Sequence, residues 1–263
     1  MNMDFTIKMY TRLLKILQST NIYFQTFSEN ISEKKDSFII LRHDVDKSPE
    51  NSLIFARIQE KMGIKGSYYF RAVPESWDEK IINQIADLGH EIGYHYENMD
   101  TCNGDVDKAW DDFCYNLSRL RKITDIKTIC MHGSPLSNYN NRKLWEKYDF
   151  FTLDIIGEPY ELNYKELYYL TDTGRCWDGW KFSIRDKVSQ QNDWIKEGLV
   201  FHSTEDIIFS IKKNMFPNRV MFTFHPQRWH NNLFLWLEEF ITQNIKNQAK
   251  KIILYKNKIK KIV

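Results

Sequence analysis

Two aspartates one residue apart, Asp44-Val45-Asp46, follow directly on the apolar run Phe38-Ile39-Ile40-Leu41, with Arg42 and His43 between. In a strand, residues two apart share a face, so both carboxylates address one site. Paired acids of this kind suit a metal ligand beside a proton acceptor. An N-capping acid for the next helix explains one of them but hardly both. A second run, residues 89–97, places Glu91, His95 and Glu97 on one face and His90 with Ile92 on the other. A His and a Glu two apart at a strand end can share an ion. Two further runs end in histidine: Cys130-Met131-His132-Gly133-Ser134-Pro135 and Phe222-Thr223-Phe224-His225-Pro226. Four runs thus deliver Asp, His, His and His, groups that bind transition metals and move protons.

The elements that must position them are short β-rich runs at 38–46, 66–72, 90–96, 127–133, 150–156, 167–172 and 219–225. Helical segments alternate with most of them: Ser48 to Met62, opened by Pro49 at the first helical position; Ser76 to Leu88, closed by Gly89; Val106 to Ile123; and Asn140 to Tyr148. Seven strands with interleaved helices mean an α/β protein of parallel β/α architecture, a barrel or a doubly wound open sheet. In such folds ligands sit at the carboxyl ends of the strands, which is where the acids and histidines fall. Tyr10, Leu13, Leu14 and Leu17 give residues 5–19 the spacing of an amphipathic helix. No linker or internal repeat interrupts the series, so residues 1–263 read as a single domain. The stretch from Asp172 to Thr204 is rich in Trp and charge and too long for an ordinary connection.

These residues resemble the polysaccharide deacetylases of the NodB-homology type, carbohydrate esterase family 4. Asp44-Val45-Asp46 is similar to that family's first motif, whose first Asp is the general base and whose second is a metal ligand. His95, after Gly89-His90-Glu91-Ile92-Gly93, resembles the metal histidine of the second motif, and His225 the general acid of the last. The likeness runs in order from residue 38 to 226 and implies a distorted (β/α)7 barrel. One departure is plain: where the second motif has another histidine, this chain has Met99. The third ligand is then His132 or Glu97, in that order, His132 being followed by Gly133, which permits close backbone approach. The third motif corresponds to His132-Gly133-Ser134-Pro135, whose backbone N–H groups would form an oxyanion hole. Arg42, Ser134, Thr171-Asp172 and the run Arg175-Cys176-Trp177-Asp178-Gly179-Trp180 are candidates for orienting the base and walling a sugar pocket.

The resemblance implies hydrolysis of an N-acyl group, most simply N-acetyl, on an amino sugar, with Zn²⁺, or Fe²⁺, Co²⁺ or Ni²⁺ in its place, as cofactor. The composition is compatible: aromatic residues make up 15% of the chain, and rings of this kind build sugar clefts as well as cores. Lys+Arg and Asp+Glu number 37 and 35, so no basic field argues for nucleic acid. Four cysteines without a CxxC pair read as buried thiols. The charged N-terminus lacks the apolar core of a signal peptide, which points to the cytoplasm and to a nucleotide- or lipid-linked precursor of a bacterial surface glycan as substrate. The Lys-rich residues 250–263 read first as a solvated face and second as a peripheral contact with the inner face of a membrane. Two other functions fit parts of the pattern: a non-catalytic sugar-binding relative, given Met99, and a glycosyltransferase with Asp44-Val45-Asp46 as its Asp-x-Asp motif. Only some forty residues precede that motif, too few for a nucleotide-binding half.

Overall fold

The computed structural model describes residues 3–134, 137–181 and 188–259, with side chains to residue 252. Its centre is one sheet of seven strands, all parallel, in the order β5-β4-β3-β2-β7-β6, with β1 paired to the start of β2. The strands are β1 (Tyr23–Gln25), β2 (Phe38–Val45), β3 (Ser67–Phe70), β4 (Glu91–Tyr96), β5 (Ile129–Met131), β6 (Tyr168–Thr171) and β7 (Arg219–Phe224). The α-helices are α1 (Ile7–Gln18), ahead of β1, then α2 (Phe27–Ser32), α3 (Pro49–Lys61), α4 (Glu79–Asp87), α5 (Asn98–Thr101), α6 (Val106–Arg121), α7 (Gln191–Lys196) and α8 (Thr204–Lys212) between the strands, followed by a final α9 (Leu233–Ile259). The sheet curls into a half-barrel, a distorted (β/α) barrel left open between β5 and β6.

Strand β2 is buried over all eight residues because both of its faces are covered. Ile39, Leu41 and Val45 point outward into the main core with the helices, whereas Phe38 and Ile40 point inward to a second, smaller cluster with Tyr69, Cys130 and Met221. The inward column of β2 therefore runs apolar at its base and ends in Arg42 and Asp44. Gly93, inward on β4, faces the Tyr69 ring so closely that a Cβ would collide with it. Helix α1 closes the outside of β2 and β7. Thr6 caps it by accepting a hydrogen bond from Met9 N–H, and Tyr10, Leu13, Leu14 and Leu17 are buried as their spacing requires. Its Tyr10 ring stacks on Phe55 of α3 at 3.8 Å.

Two expected elements differ. Residues 150–156 form no strand: Phe150–Leu153 is a 3-10 turn, and its chain pairs with the sheet only through a bridge from Thr128 to Gly157. Asp149 caps the turn by accepting from Phe151 N–H, which commits the backbone to turning. The segment 140–148 is likewise a 3-10 helix, Asn141–Glu146. The three-residue β1 makes up the seventh strand in place of 150–156. In the Trp-rich stretch, 182–187 lies outside the described residues, as does Pro135 of the third motif.

Candidate metal centre and proton-transfer site

Alternation sends Asp44 of β2, His95 of β4 and the residues just beyond β3, β5 and β7, namely Arg71, His132 and His225, to the inner face at the carboxyl rim. Asp46 follows one step past β2. The result is a cluster in which Asp46 Oδ1 lies 3.7 Å from His95 Nε2 and 3.6 Å from His132 Nε2. Asp44 Oδ2 lies 3.8 Å from the same His95 nitrogen, and His225 Nε2 lies 3.9 Å from Asp46 Oδ2.

Each imidazole is locked from behind. His95 Nδ1 is 2.9 Å from the Cys130 carbonyl, which can only accept, so the ring donates there and presents a bare Nε2 to the cluster. His132 Nδ1 donates to Glu97 Oε2 at 2.8 Å, and Glu97 is itself held by a bidentate pair with Arg71 at 2.9 Å. This is the carboxylate–histidine arrangement that orients metal ligands. Glu97 is thus spent on His132 and Arg71. Asp46, His95 and His132 remain as a three-donor set, and Asp44, His95 and Cys130 form a second such group deeper in the barrel. Asp46 Oδ1 is buried and has no hydrogen-bond partner among the described residues, while Oδ2 accepts from Gln227 Nε2 at 3.0 Å. A buried carboxylate oxygen left bare between two bare imidazole nitrogens fits a divalent cation. Met99, at the position of the second motif's further histidine, is buried in the main core.

Charge follows the pairing. Burial opposes ionisation of Asp44, yet the Arg42 guanidinium, and after it His95, hold its carboxyl well below the usual carboxylate range. Arg42 binds it in bidentate fashion, at 2.8 Å through Nε and 2.6 Å through Nη2. Burial likewise opposes charge on Asp46, and the three histidines keep its carboxyl lowered. For His95 burial dominates and pushes the imidazole down to about 4, so it is neutral and free to ligate at neutral pH. For His132 burial is outweighed by Glu97 and Asp46, which raise it. Glu97, against its own burial, is brought down to about 2 by His132 and Arg71.

Asp172 orients His225 and not the base. Its Oδ1 accepts from His225 Nδ1 at 2.6 Å, while Oδ2 accepts from His225 N–H at 2.9 Å and from Trp229 Nε1 at 2.7 Å. Arg42 is the residue that orients Asp44. Three other candidates lie elsewhere. Trp177 is buried in the outer core against Phe222 and Phe224 and donates to Thr204. Arg175, at φ 55°, turns away to pack its guanidinium 4.6 Å from the Trp236 ring. Asp178 pairs with Lys181 and His202. Trp177 thus serves packing, and none of the three is among the described residues that line the cavity beside the cluster. Ser134 is half-buried two residues beyond His132, and its carbonyl accepts from Ser137 N–H. Three partners went unread in the sequence: Arg71, Gln227 and Arg228, the last donating to Asp172 at 3.1 Å. Arg71 had a visible signal, as the charged residue ending the run Ser67-Tyr68-Tyr69-Phe70.

A cavity of about 370 Å³ opens beside the cluster, lined by Asp46, Arg71, His132 and Gln227 and by Glu239, Gln243 and Lys246 of α9. Fold and site together define a class: a parallel β/α half-barrel with an aspartate and histidine cluster on the carboxyl rim of its strands. Neither a family model nor a curated protein matches the chain. Among solved structures it is similar to a CE4-family pseudoenzyme from Bacillus anthracis, at 13% identity and a TM-score of 0.44 over 83% of this chain and 63% of that one. It is also similar to PdaA of Bacillus subtilis, a family 4 carbohydrate esterase, at 12% identity and a TM-score of 0.40 over 89% and 84% of the two chains. A further family 4 carbohydrate esterase from Bacillus anthracis matches at 13% identity and a TM-score of 0.41, over 84% and 93%. The chain spans less than two thirds of the pseudoenzyme's length.

Proposed function

We propose that the chain is a metal-dependent deacylase that hydrolyses the N-acyl group, most simply N-acetyl, of an amino sugar carried on a nucleotide- or lipid-linked precursor of a surface glycan. The observation that carries the reading is the bare, buried Asp46 Oδ1 held between the Nε2 atoms of His95 and His132. Asp46, His95 and His132 would hold the cation, Zn²⁺ or alternatively Fe²⁺, Co²⁺ or Ni²⁺. Asp44 receives the proton of the attacking water. Its pairing with Arg42 keeps it ionised but makes it a weak base, so the water it faces must be acidified. A bound divalent cation supplies that acidification and polarises the acyl carbonyl. His225 stands across Asp46 from the other two histidines. Asp172 accepts from its Nδ1 and so fixes the ring with Nε2 toward the site, from which a protonated His225 delivers its proton to the departing amine. The His132 N–H is donated to the Tyr96 carbonyl at 2.9 Å, so in this reading the Gly133 N–H is the oxyanion donor after β5.

Metal content and acetate release from nucleotide- and lipid-linked amino sugars test it together. Wild-type protein is expected to bind about one ion per chain, and His95→Ala and His132→Ala to lose both ion and turnover. Asp44→Asn should keep its ion and lose turnover by about 10³-fold. Failure to take up zinc, cobalt or nickel would sink the hydrolase reading and favour a sugar-binding protein.

A further inference from the structure

Helix α9 is set on the protein inside out. Its buried side is polar: Glu239, Gln243 and Asn247 recur every four residues and are all buried. Asn247 donates to the Gly174 carbonyl at 2.9 Å, Gln243 donates to Asn247 at 2.9 Å, and Trp236 Nε1 donates to the Asp4 carbonyl at 2.7 Å. Phe234, Leu237, Ile241, Ile245 and Ile252 follow at spacings of three, four, four and seven, which brings them to the opposite side. All five are exposed, Phe234 by 82% and Ile245 by 66%. A helix of a water-soluble surface buries its apolar stripe; this one offers it outward over about 27 Å, from a rise of 1.5 Å per residue.

The charge of the same segment says what covers the stripe. Residues 240–263 contain seven lysines and no acidic residue. An apolar stripe on a lysine-rich helix suits the interface of an anionic bilayer. A second copy of the chain would set these lysines against each other in a parallel pairing. An antiparallel pairing would offer them only Glu238 and Glu239, of which Glu239 already lies 4.0 Å from Lys47. No helix among the described residues is long and apolar enough to cross a membrane.

We infer that α9 docks the protein on an anionic lipid surface through Phe234, Leu237, Ile241, Ile245 and Ile252. Glu239, Gln243 and Lys246 of the same helix line the cavity beside Asp46, so docking holds the mouth of the cavity about one helix diameter, roughly 10 Å, from the headgroups. The inference rests on the orientation of α9 and stands whether or not the site is hydrolytic.

Co-sedimentation of the full chain with vesicles of phosphatidylcholine mixed with phosphatidylglycerol, and with phosphatidylcholine alone, tests it, with light scattering for the mass in solution. Wild-type protein should sediment with the mixed vesicles and release as salt rises. The triple variant Phe234→Ser, Ile241→Ser, Ile245→Ser should bind at least about tenfold more weakly while unfolding at an unchanged temperature, since all three positions are exposed. Equal binding by wild type and triple variant would overturn the inference. So would a wild-type dimer that the variant dissolves, in a protein that stays in the supernatant when the vesicles are pelleted.

Discussion

The barrel buries carboxylates in two regions and treats them oppositely. At the rim over β2, Asp44 is wholly buried yet held ionised by the two parallel hydrogen bonds of Arg42. At the seam between β5 and β6, where no strand closes the sheet, Glu158 is buried too. Its Oε1 accepts from Tyr96 OH at 2.8 Å and from Met131 N–H at 3.0 Å, a backbone donor that a neighbouring strand would otherwise satisfy. Its Oε2 makes no hydrogen bond among the described residues, and Arg142 approaches only to 3.4 Å. Burial therefore prevails and pushes Glu158 up to about 7, against Tyr96 and Arg142. Depth alone raises a carboxyl's proton affinity; these two sites differ in that a guanidinium hydrogen-bonds both oxygens of Asp44 and neither oxygen of Glu158.

Breaking the rim pair is the largest expected effect. Arg42→Met leaves the Asp44 carboxylate buried without its partner and should cost about 3–5 kcal/mol in urea unfolding at neutral pH. A loss below about 1 kcal/mol would mean that Asp44 does not depend on Arg42 for its charge.

The seam predicts a smaller effect of definite sign. The folded-state pKa of Glu158 lies above its unfolded value, so the native state binds the extra proton between pH 4.5 and about 7. Its contribution is present below pH 4.5 and is lost as pH rises through that window, by at most about 3 kcal/mol. Glu158→Gln should flatten this fall and be the more stable protein at pH 8. If the two proteins follow parallel stability curves across the window, Glu158 is ionised in the fold and the contrast with Asp44 fails.

The same contrast explains what the sequence disclosed. Asp44, His95, His132 and His225 were legible because each ends an apolar run with inward parity, and parallel sheets gather such ends in one place. What stayed hidden was which group each partner would meet: Asp172 reaches His225 across 53 residues, and the unread Arg71 reaches Glu97 across 26. Trp177 packs on Phe222 and Phe224, as ring content signals packing as readily as sugar binding. Helix α9 was read only through the lysines of 250–263; the side it turns to the protein is set by the polar partners Gly174, Asp4 and Lys47, which no periodicity reveals.

Phe151 gives the smallest and sharpest test of the seam. Residues 150–156 have the aromatic and β-branched content of a strand, and alternation would put Phe151 and Ile155 on one face. In the turn observed they part: Ile155 is buried, whereas Phe151 is 57% exposed and touches the Phe150 ring at a centroid distance of 4.6 Å. Phe151→Ser should accordingly change stability by no more than about 0.5 kcal/mol, as surface substitutions do. A loss of about 3 kcal/mol or more, the cost of truncating a core phenylalanine, would mean that the segment joins the sheet as a strand. Met131 N–H would then be paired to backbone, Glu158 would lose its role there, and the seam would be closed as the rim is.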